Sequence, residues 1–288
     1  MLSRRISALE VELGGRLFHR TGRGVVATDL GVRLAARARN VIGEADALMD
    51  EARGAHASPA GIVEIAFVPA VARPLVSLLF GRLRTEFPRI RLRAQESYSG
   101  HVEELLANGQ VDIGVFNRYG RGTVKGAELL VTSDIAVVAP RAHFDIRGAE
   151  LPFRSLQGMP FVLPPQPNPL VSAVRDLALK QRIELEIVLE SASSTLTRSS
   201  VTDSGLCTLV PLHLAQRDYR NSDVAIARIV KPLIVQRTWL AVTTQRPSSL
   251  ASRAVLRLAR ELSVDFARRA ARDARHPGSW IERRATPR

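Results

Sequence analysis

Few side chains in this sequence could do bond-making chemistry. Cys207 is the single cysteine, and the six histidines, His19, His56, His101, His143, His213 and His276, stand at spacings that form no metal-ligand pattern. One cysteine excludes an internal disulfide and a multi-cysteine metal site, and fits a reducing compartment. Because Cys207 lies in an apolar run beside Leu206 and Leu209, it reads as a small buried hydrophobe rather than a redox sensor. The residue types for a Ser/His/Asp or Cys/His set exist, but no nucleophile-elbow or phosphate-loop pattern accompanies them, so an enzyme is the poorest reading. Neither a metal nor a cofactor is expected. What remains is ionic chemistry. The stretch "RLFHRTGRGVVATDLG" (16–31) places Arg16, His19, Arg20 and Arg23 around loop glycines. Guanidinium forks suit phosphate oxygens, and glycines let the backbone come close to them.

These residues need elements to hold them. Leu2, Ile6, Leu9 and Leu13 recur at helical spacing, Gly14 and Gly15 stop that helix, and the Thr21 to Gly24 turn predicts a small hairpin. A helix followed by a basic hairpin suggests a winged helix-turn-helix. A solvated amphipathic helix followed by a surface loop is the alternative. From Asp29 to Gly54 the pattern predicts one helix, capped by Thr28 or Asp29. Along it, Leu34, Val41 and Leu48 recur every seven residues with Ala38, Ala45 and Ala52 at the complementary positions, a dimer seam or an intramolecular packing stripe. "HASPAG" (56–61) suits a hinge.

Beyond the hinge, strands and helices alternate. Strands at 62–69, 90–96 and 111–116, separated by helices at 72–87 and 99–108, predict a parallel βαβαβ lobe. A similar run follows: strands at 160–165, 184–190 and 206–211, with helices at 169–181 and 194–203. A late strand at 238–244 and a helix from Ser249 to Ala267 could return to the first lobe, making a two-crossover hinge of the kind that clamps a small ligand. The expected organisation is 1–28 as a partial winged helix-turn-helix and 29–55 as a linker helix. Lobe I is expected from 58–137 with a return segment 231–267, lobe II from 138–230, and a basic, disordered tail at 268–288. The fold class is α/β.

The formal charge of +13 and pI near 11.2 favour anionic partners without identifying one. Only three of the 41 basic residues are lysine, an arginine bias that reads as genomic composition. The start, "MLSRRISALEVEL", lacks a signal-peptide core, and no apolar run approaches the ~18 residues of a spanning helix, so a cytoplasmic protein is expected.

The order of parts resembles the LysR-type transcriptional regulators. The likeness rests on "LSRRISALEVELGGRLFHRTGRGVVATDLG" (2–31), on the linker helix, and on "GIVEIAF", "LLANGQVDIGVF" and "LASRAVLRLAREL". The first block is a specific motif; the others occur in many α/β proteins. The family begins with a full helix, a second helix and the first turn of a recognition helix, none of which stands before Met1. A start assigned too far downstream is preferred to a genuine truncation.

The resemblance implies a periplasmic-binding-protein-like, two-lobed effector domain and a homodimer or tetramer on double-stranded operator DNA, with no membrane partner. DNA contact would fall to Ser3, Arg4, Arg5 and Ser7 on the recognition helix and to Arg20 and Arg23 on the wing. A small effector, a carboxylate or other small anion, would sit between the lobes. Its positions would be Pro69, Ala70 and Val71, then Ser97, Ser99 and Gly100, then Phe116 and Asn117, faced by Gln166, Asn168, Ser191 and Ser193. The competing use of these serines is plain helix capping. The competing functions are a small-ligand-binding module without effective DNA binding and an α/β enzyme acting on a small acid.

Overall fold

A computed structural model describes residues 2–22, 24–53, 58–71, 75–120, 122–141, 149–219 and 222–275. Helix α1 (Leu2–Glu12) leads into a hairpin of β1 (Phe18–Thr21) and β2 (Gly24–Ala27), and then into helix α2 (Asp29–Arg53). Most of the heptad face of α2 lies open on this chain: Val41 is 69% and Leu48 66% exposed, Ala38, Ala45 and Ala52 are exposed beside them, and Leu34 is half-buried.

The first α/β unit follows as β3 (Gly61–Phe67), the short turn α3 (Pro69–Val71), α4 (Ser77–Glu86), β4 (Ile90–Glu96), α5 (Ser99–Ala107) and β5 (Ile113–Tyr119). The strands run parallel in the order β4-β3-β5. Helices cover both faces, so the central strands read as apolar runs: Val63, Ile65, Ala66, Ile113 and Val115 are all buried. Gly114 lets α5 approach, since a Cβ there would lie 2.4 Å from Leu106 Cδ1.

Strand β6 (Ala127–Pro140) and strand β7 (Glu150–Pro152) come next, followed by β8 (Pro160–Leu163), α6 (Pro169–Gln181), β9 (Glu186–Glu190) and α7 (Ser194–Asp203). The chain continues through β10 (Thr208–Pro211), α8 (Leu212–Asp218), β11 (Val224–Val230), β12 (Val235–Val242) and α9 (Leu250–Arg275). One eight-stranded sheet runs β4-β3-β5-β12-β6-β11-β7, with β10 also paired to β6. Strand β6 serves two neighbourhoods. Its first part, Ala127 to Asp134, pairs with β12, and its second, Ile135 to Pro140, pairs with β10 and β11. Strands β8 and β9 pair in parallel and join this second neighbourhood through a Phe161 to Cys207 bridge. The buried apolar residues divide accordingly, around Ile65, Ile113 and Leu258 on one side and around Phe153, Phe161 and Ile229 on the other.

The structure departs from the sequence pattern in several elements. Strands β6, β7 and β11 and helix α8 were not anticipated, the late strand is Val235–Val242 rather than 238–244, and β5 reaches Tyr119. Helix α9 continues to Arg275, past the expected end at Ala267, so residues 268–275 of the expected disordered tail are helical. His56 of the hinge, residues 72–74 of the expected helix and the tail at 276–288 lie outside the described residues. Among the described residues no helix is long and apolar enough to cross a membrane.

Candidate functional site

The N-terminal unit is tied together by a few polar side chains. Glu10 Oε1 accepts the backbone N–H groups of Leu17 and Phe18 at 2.7 and 3.1 Å, fixing the strand start against α1. Thr28 donates its hydroxyl to the Arg16 carbonyl at 2.7 Å and accepts the Gly31 N–H at 2.9 Å, which caps α2 on the hairpin. A Cβ at Gly31 would lie 2.1 Å from the Leu17 carbonyl oxygen, so only glycine permits this crossing. Gly24, at φ +137°, makes the turn opposite Thr21. Ser3, Arg4, Arg5 and Ser7 are exposed on α1. Arg20 pairs through its backbone with Val25, its side chain lies outside the description, and Arg23 lies outside the described residues altogether. α1 buries none of its residues, and Leu2 and Val11 are 75% and 83% exposed.

The positions expected to meet an effector divide into two kinds. Ser99 opens α5, whose N-terminus has no side-chain cap, and its Oγ accepts the Asn117 N–H at 3.0 Å. Asn117 Oδ1 in turn accepts the Thr238 hydroxyl at 2.8 Å, and all three residues are buried. Phe116 is buried alongside, and the Ser97 N–H donates to the Phe67 carbonyl. Pro69 is exposed, Val71 packs into the lobe core, the Ala70 side chain is outside the description, and Gly100 is exposed. On the other side, Asn168 caps α6 by accepting the Leu170 and Val171 N–H groups, and Gln166 is exposed. Ser193 caps α7 through the Leu196 N–H, and Ser191 accepts the Ser193 N–H at 3.1 Å. Asn168, Ser191 and Ser193 thus spend their acceptors locally, whereas Ser99 and Asn117 meet each other. Helix α6 packs against β5, which brings the Asn168-capped helix to the strand carrying Asn117.

Sequence reasoning missed the continuation of this polar layer. Opposite partners in adjacent strands share a face, and here Asn117 faces Thr238, Tyr119 faces Gln236, and Gln236 faces Ser133. The Tyr119 hydroxyl donates to Gln236 Oε1 at 2.7 Å, and Ser133 Oγ lies 2.9 Å from His213 Nδ1 on α8. The signal was available: in β5 the order Ile113, Val115, Asn117, Tyr119 changes from apolar to polar at period two, as does Leu240, Thr238, Gln236 in β12. Burial, aided by Arg217 and opposed by Asp218, pushes the His213 imidazole down to about 4, and burial raises the Tyr119 phenol. Cys207 is fully buried and its thiol is pushed up to about 12 by burial. Among the described residues no cluster of three His, Cys, Asp or Glu could hold a metal ion.

Comparison with known proteins fits both units. Residues 56–263 match the LysR substrate binding domain, and residues 1–32 match the bacterial regulatory helix-turn-helix protein, lysR family. A probable hydrogen peroxide-inducible genes activator of Streptomyces viridosporus is 30% identical over 213 residues, covering 73% of this chain and 64% of that protein, so the chain spans a little under two thirds of that relative. A protein of the same name from Mycobacterium leprae is 26% identical over 263 residues, covering 91% of this chain and 84% of its own. Among solved structures, a full-length OxyR variant from Pseudomonas aeruginosa superposes with a TM-score of 0.68 at 17% identity, over 91% of this chain and 84% of that one.

Proposed function

Because the chain belongs to the LysR family of bacterial transcriptional regulators, we propose that it is a cytoplasmic DNA-binding regulator whose activity is set by a small molecule held between two α/β lobes. Lobe I comprises 58–137 with 231–267, lobe II comprises 138–230, and α2 is the dimerising linker. Ser3, Arg4, Arg5, Ser7, Arg20 and Arg23 make the DNA contacts. Its role is regulation rather than catalysis, a reading supported by relatives that carry the name of gene activators.

One observation carries the effector site: the buried Ser99, Asn117 and Thr238 relay at the uncapped start of α5, beside the packing of α6 on β5. The Ser99 oxygen is occupied as an acceptor, which leaves its hydroxyl proton for a ligand. The first-turn N–H groups of α5 and that hydroxyl together favour a compact anion such as a carboxylate. The thiol chemistry of a peroxide sensor does not transfer to this chain, because such a sensor needs an accessible, low-pKa thiolate and usually a resolving partner. Cys207 is single, buried and shifted the wrong way.

The experiment is a thermal-shift screen of small acids, with neutral analogues as controls, on wild type and Ser99→Ala. The variant starts lower, because a buried Asn117 N–H loses its acceptor, on the order of 1–3 kcal/mol. The quantity compared is therefore the ligand-induced shift. Acids should stabilise wild type and lose most of that effect in the variant. Equal shifts in both, or stabilisation by neutral compounds alone, would return Ser99 to the role of a structural acceptor.

A second reading, a ligand-binding module without effective DNA binding, draws on α1, which buries none of its residues and leaves Leu2 and Val11 largely exposed. Effector binding in the absence of any retarded operator complex would favour it.

A further inference from the structure

Gly43 stands in the interior of α2, where glycine weakens a helix relative to alanine. Its neighbour supplies a reason. A Cβ at Gly43 would lie 2.8 Å from Cδ of Arg246, 3.6 Å from its Nε and 3.7 Å from its Cβ. The linker helix therefore rests its bare backbone on the arm of an arginine from the loop between β12 and α9.

That arginine is not a loose surface chain. Its side chain is 9% exposed, and its Nε and Nη2 donate to Asp112 Oδ1 at 3.2 and 2.9 Å. Asp112, 13% exposed, is itself a junction: its Oδ2 accepts the Glu64 N–H of β3, and its carbonyl accepts the Thr243 N–H beyond β12. Thr243 then donates its hydroxyl to the Leu106 carbonyl at the end of α5 and accepts the Gln245 N–H. With the guanidinium fixed at one end and the backbone at the other, the Arg246 arm cannot swing aside as a free chain end would.

We propose that Gly43 and Arg246 are positioning residues, forming a joint through which α2 takes its seat on lobe I. The contact joins the helix to the base of the lobe, where the loops around Asp112 and Thr243 gather β3, β5, β12 and α5 into one polar knot. Gly43 lies two residues, about 200°, around the helix from both Val41 and Ala45, so the joint uses a different side of α2 from the heptad face. One helix can thus meet a partner copy with one face and its own lobe with another. That the joint influences DNA binding rests on the regulator reading; the joint itself does not.

The test is hydrogen exchange on the full chain, comparing wild type, Gly43→Ala, Arg246→Ala and the double variant, with Gly81→Ala as the control. Gly81 also lies within a helix, but a Cβ there would meet nothing within 4 Å. Gly43→Ala should speed exchange in residues 243–249, on the order of fivefold, while slowing it within α2 because alanine favours the helix. These opposite signs distinguish the joint from general destabilisation. In the Arg246→Ala background, adding Gly43→Ala should leave 243–249 unaffected, and Gly81→Ala should leave that segment at the wild-type rate. Unchanged exchange at 243–249 in Gly43→Ala, or the same increment with and without Arg246, would overturn the proposal. Neither outcome depends on an effector or an operator, so failure here leaves the regulator reading untouched.

Discussion

Acidification should loosen the region where β6 passes from one lobe to the other, and His213 sets the size of the effect. Its Nδ1 lies 2.9 Å from Ser133 Oγ on β6, and burial, with Arg217 adding and Asp218 opposing, brings it from an ordinary 6.5 to about 4. A folded-state value below the unfolded one means that the unfolded chain takes up the proton first. The stabilisation is therefore complete above about pH 6.5 and is lost as pH falls toward 4. At about 1.4 kcal/mol per unit, the difference amounts to roughly 3 kcal/mol. Urea unfolding of wild type and His213→Gln between about pH 8 and pH 4 isolates this term, since glutamine can still bond Ser133 but does not titrate. Wild type should lose about 3 kcal/mol more than the variant over that descent. Parallel stability profiles for the two proteins would show that proton uptake at His213 does not govern the join.

Val41→Glu should leave the monomer within about 0.5 kcal/mol of wild type, because Val41 is already 69% exposed, yet weaken self-association by placing a charge in the heptad face. Sedimentation across a concentration series checks it, and an unaltered dimerisation curve would move the seam elsewhere. Cys207 should resist a thiol reagent in the native protein at neutral pH and react promptly in urea, as a fully buried thiol shifted to about 12 requires. Prompt native labelling would contradict that burial. Gly31→Ala should destabilise the N-terminal unit by about 1–3 kcal/mol despite the helical preference of alanine, since the new Cβ meets the Leu17 carbonyl rather than a movable side chain. Faster exchange of the Thr28 amide, which bonds that carbonyl, is the readout, and a wild-type rate would refute the clash.

Local chemistry made some elements readable in the sequence. Thr28 ahead of a helical run caps where expected, Ser193 takes the competing use of helix cap, and Asn168 before Pro169, read in the sequence as an effector position, caps α6 as well. The strands "GIVEIAF" and "ELEIVLE" were visible by their β-branched content, the second also by alternation along its half-exposed edge. Strand β6 escaped because "AELLVTSDIAVVAP" changes pattern midway: its first part lies beside β12 with partial exposure, while its second is buried on both faces. No single period describes it. The polar layer from Ser99 to His213 is assembled from five elements, and pairing register, which local pattern leaves unspecified, decides that Asn117 meets Thr238. The Gly43 to Arg246 contact spans even more chain, and its only sequence trace is a glycine where a helix would prefer alanine.

Strand β6 also limits how the two lobes can move. At the passage between them it changes partner from β12 to β10 and β11 but stays bonded across the change: Asp134 pairs with Val235, the Ile135 N–H donates to the Ile234 carbonyl, and Arg228 binds Asp134 while reaching Glu150 on β7. A connection of this kind behaves as a torsion bar rather than a string. Relative rotation of the lobes would be taken up as extra twist along the paired strands, because bending sharply at one point would break ladder bonds in a buried setting. An effector would then act by selecting among closely spaced angles, and anything carried at the far end of lobe I would be displaced along an arc whose direction the strand fixes in advance.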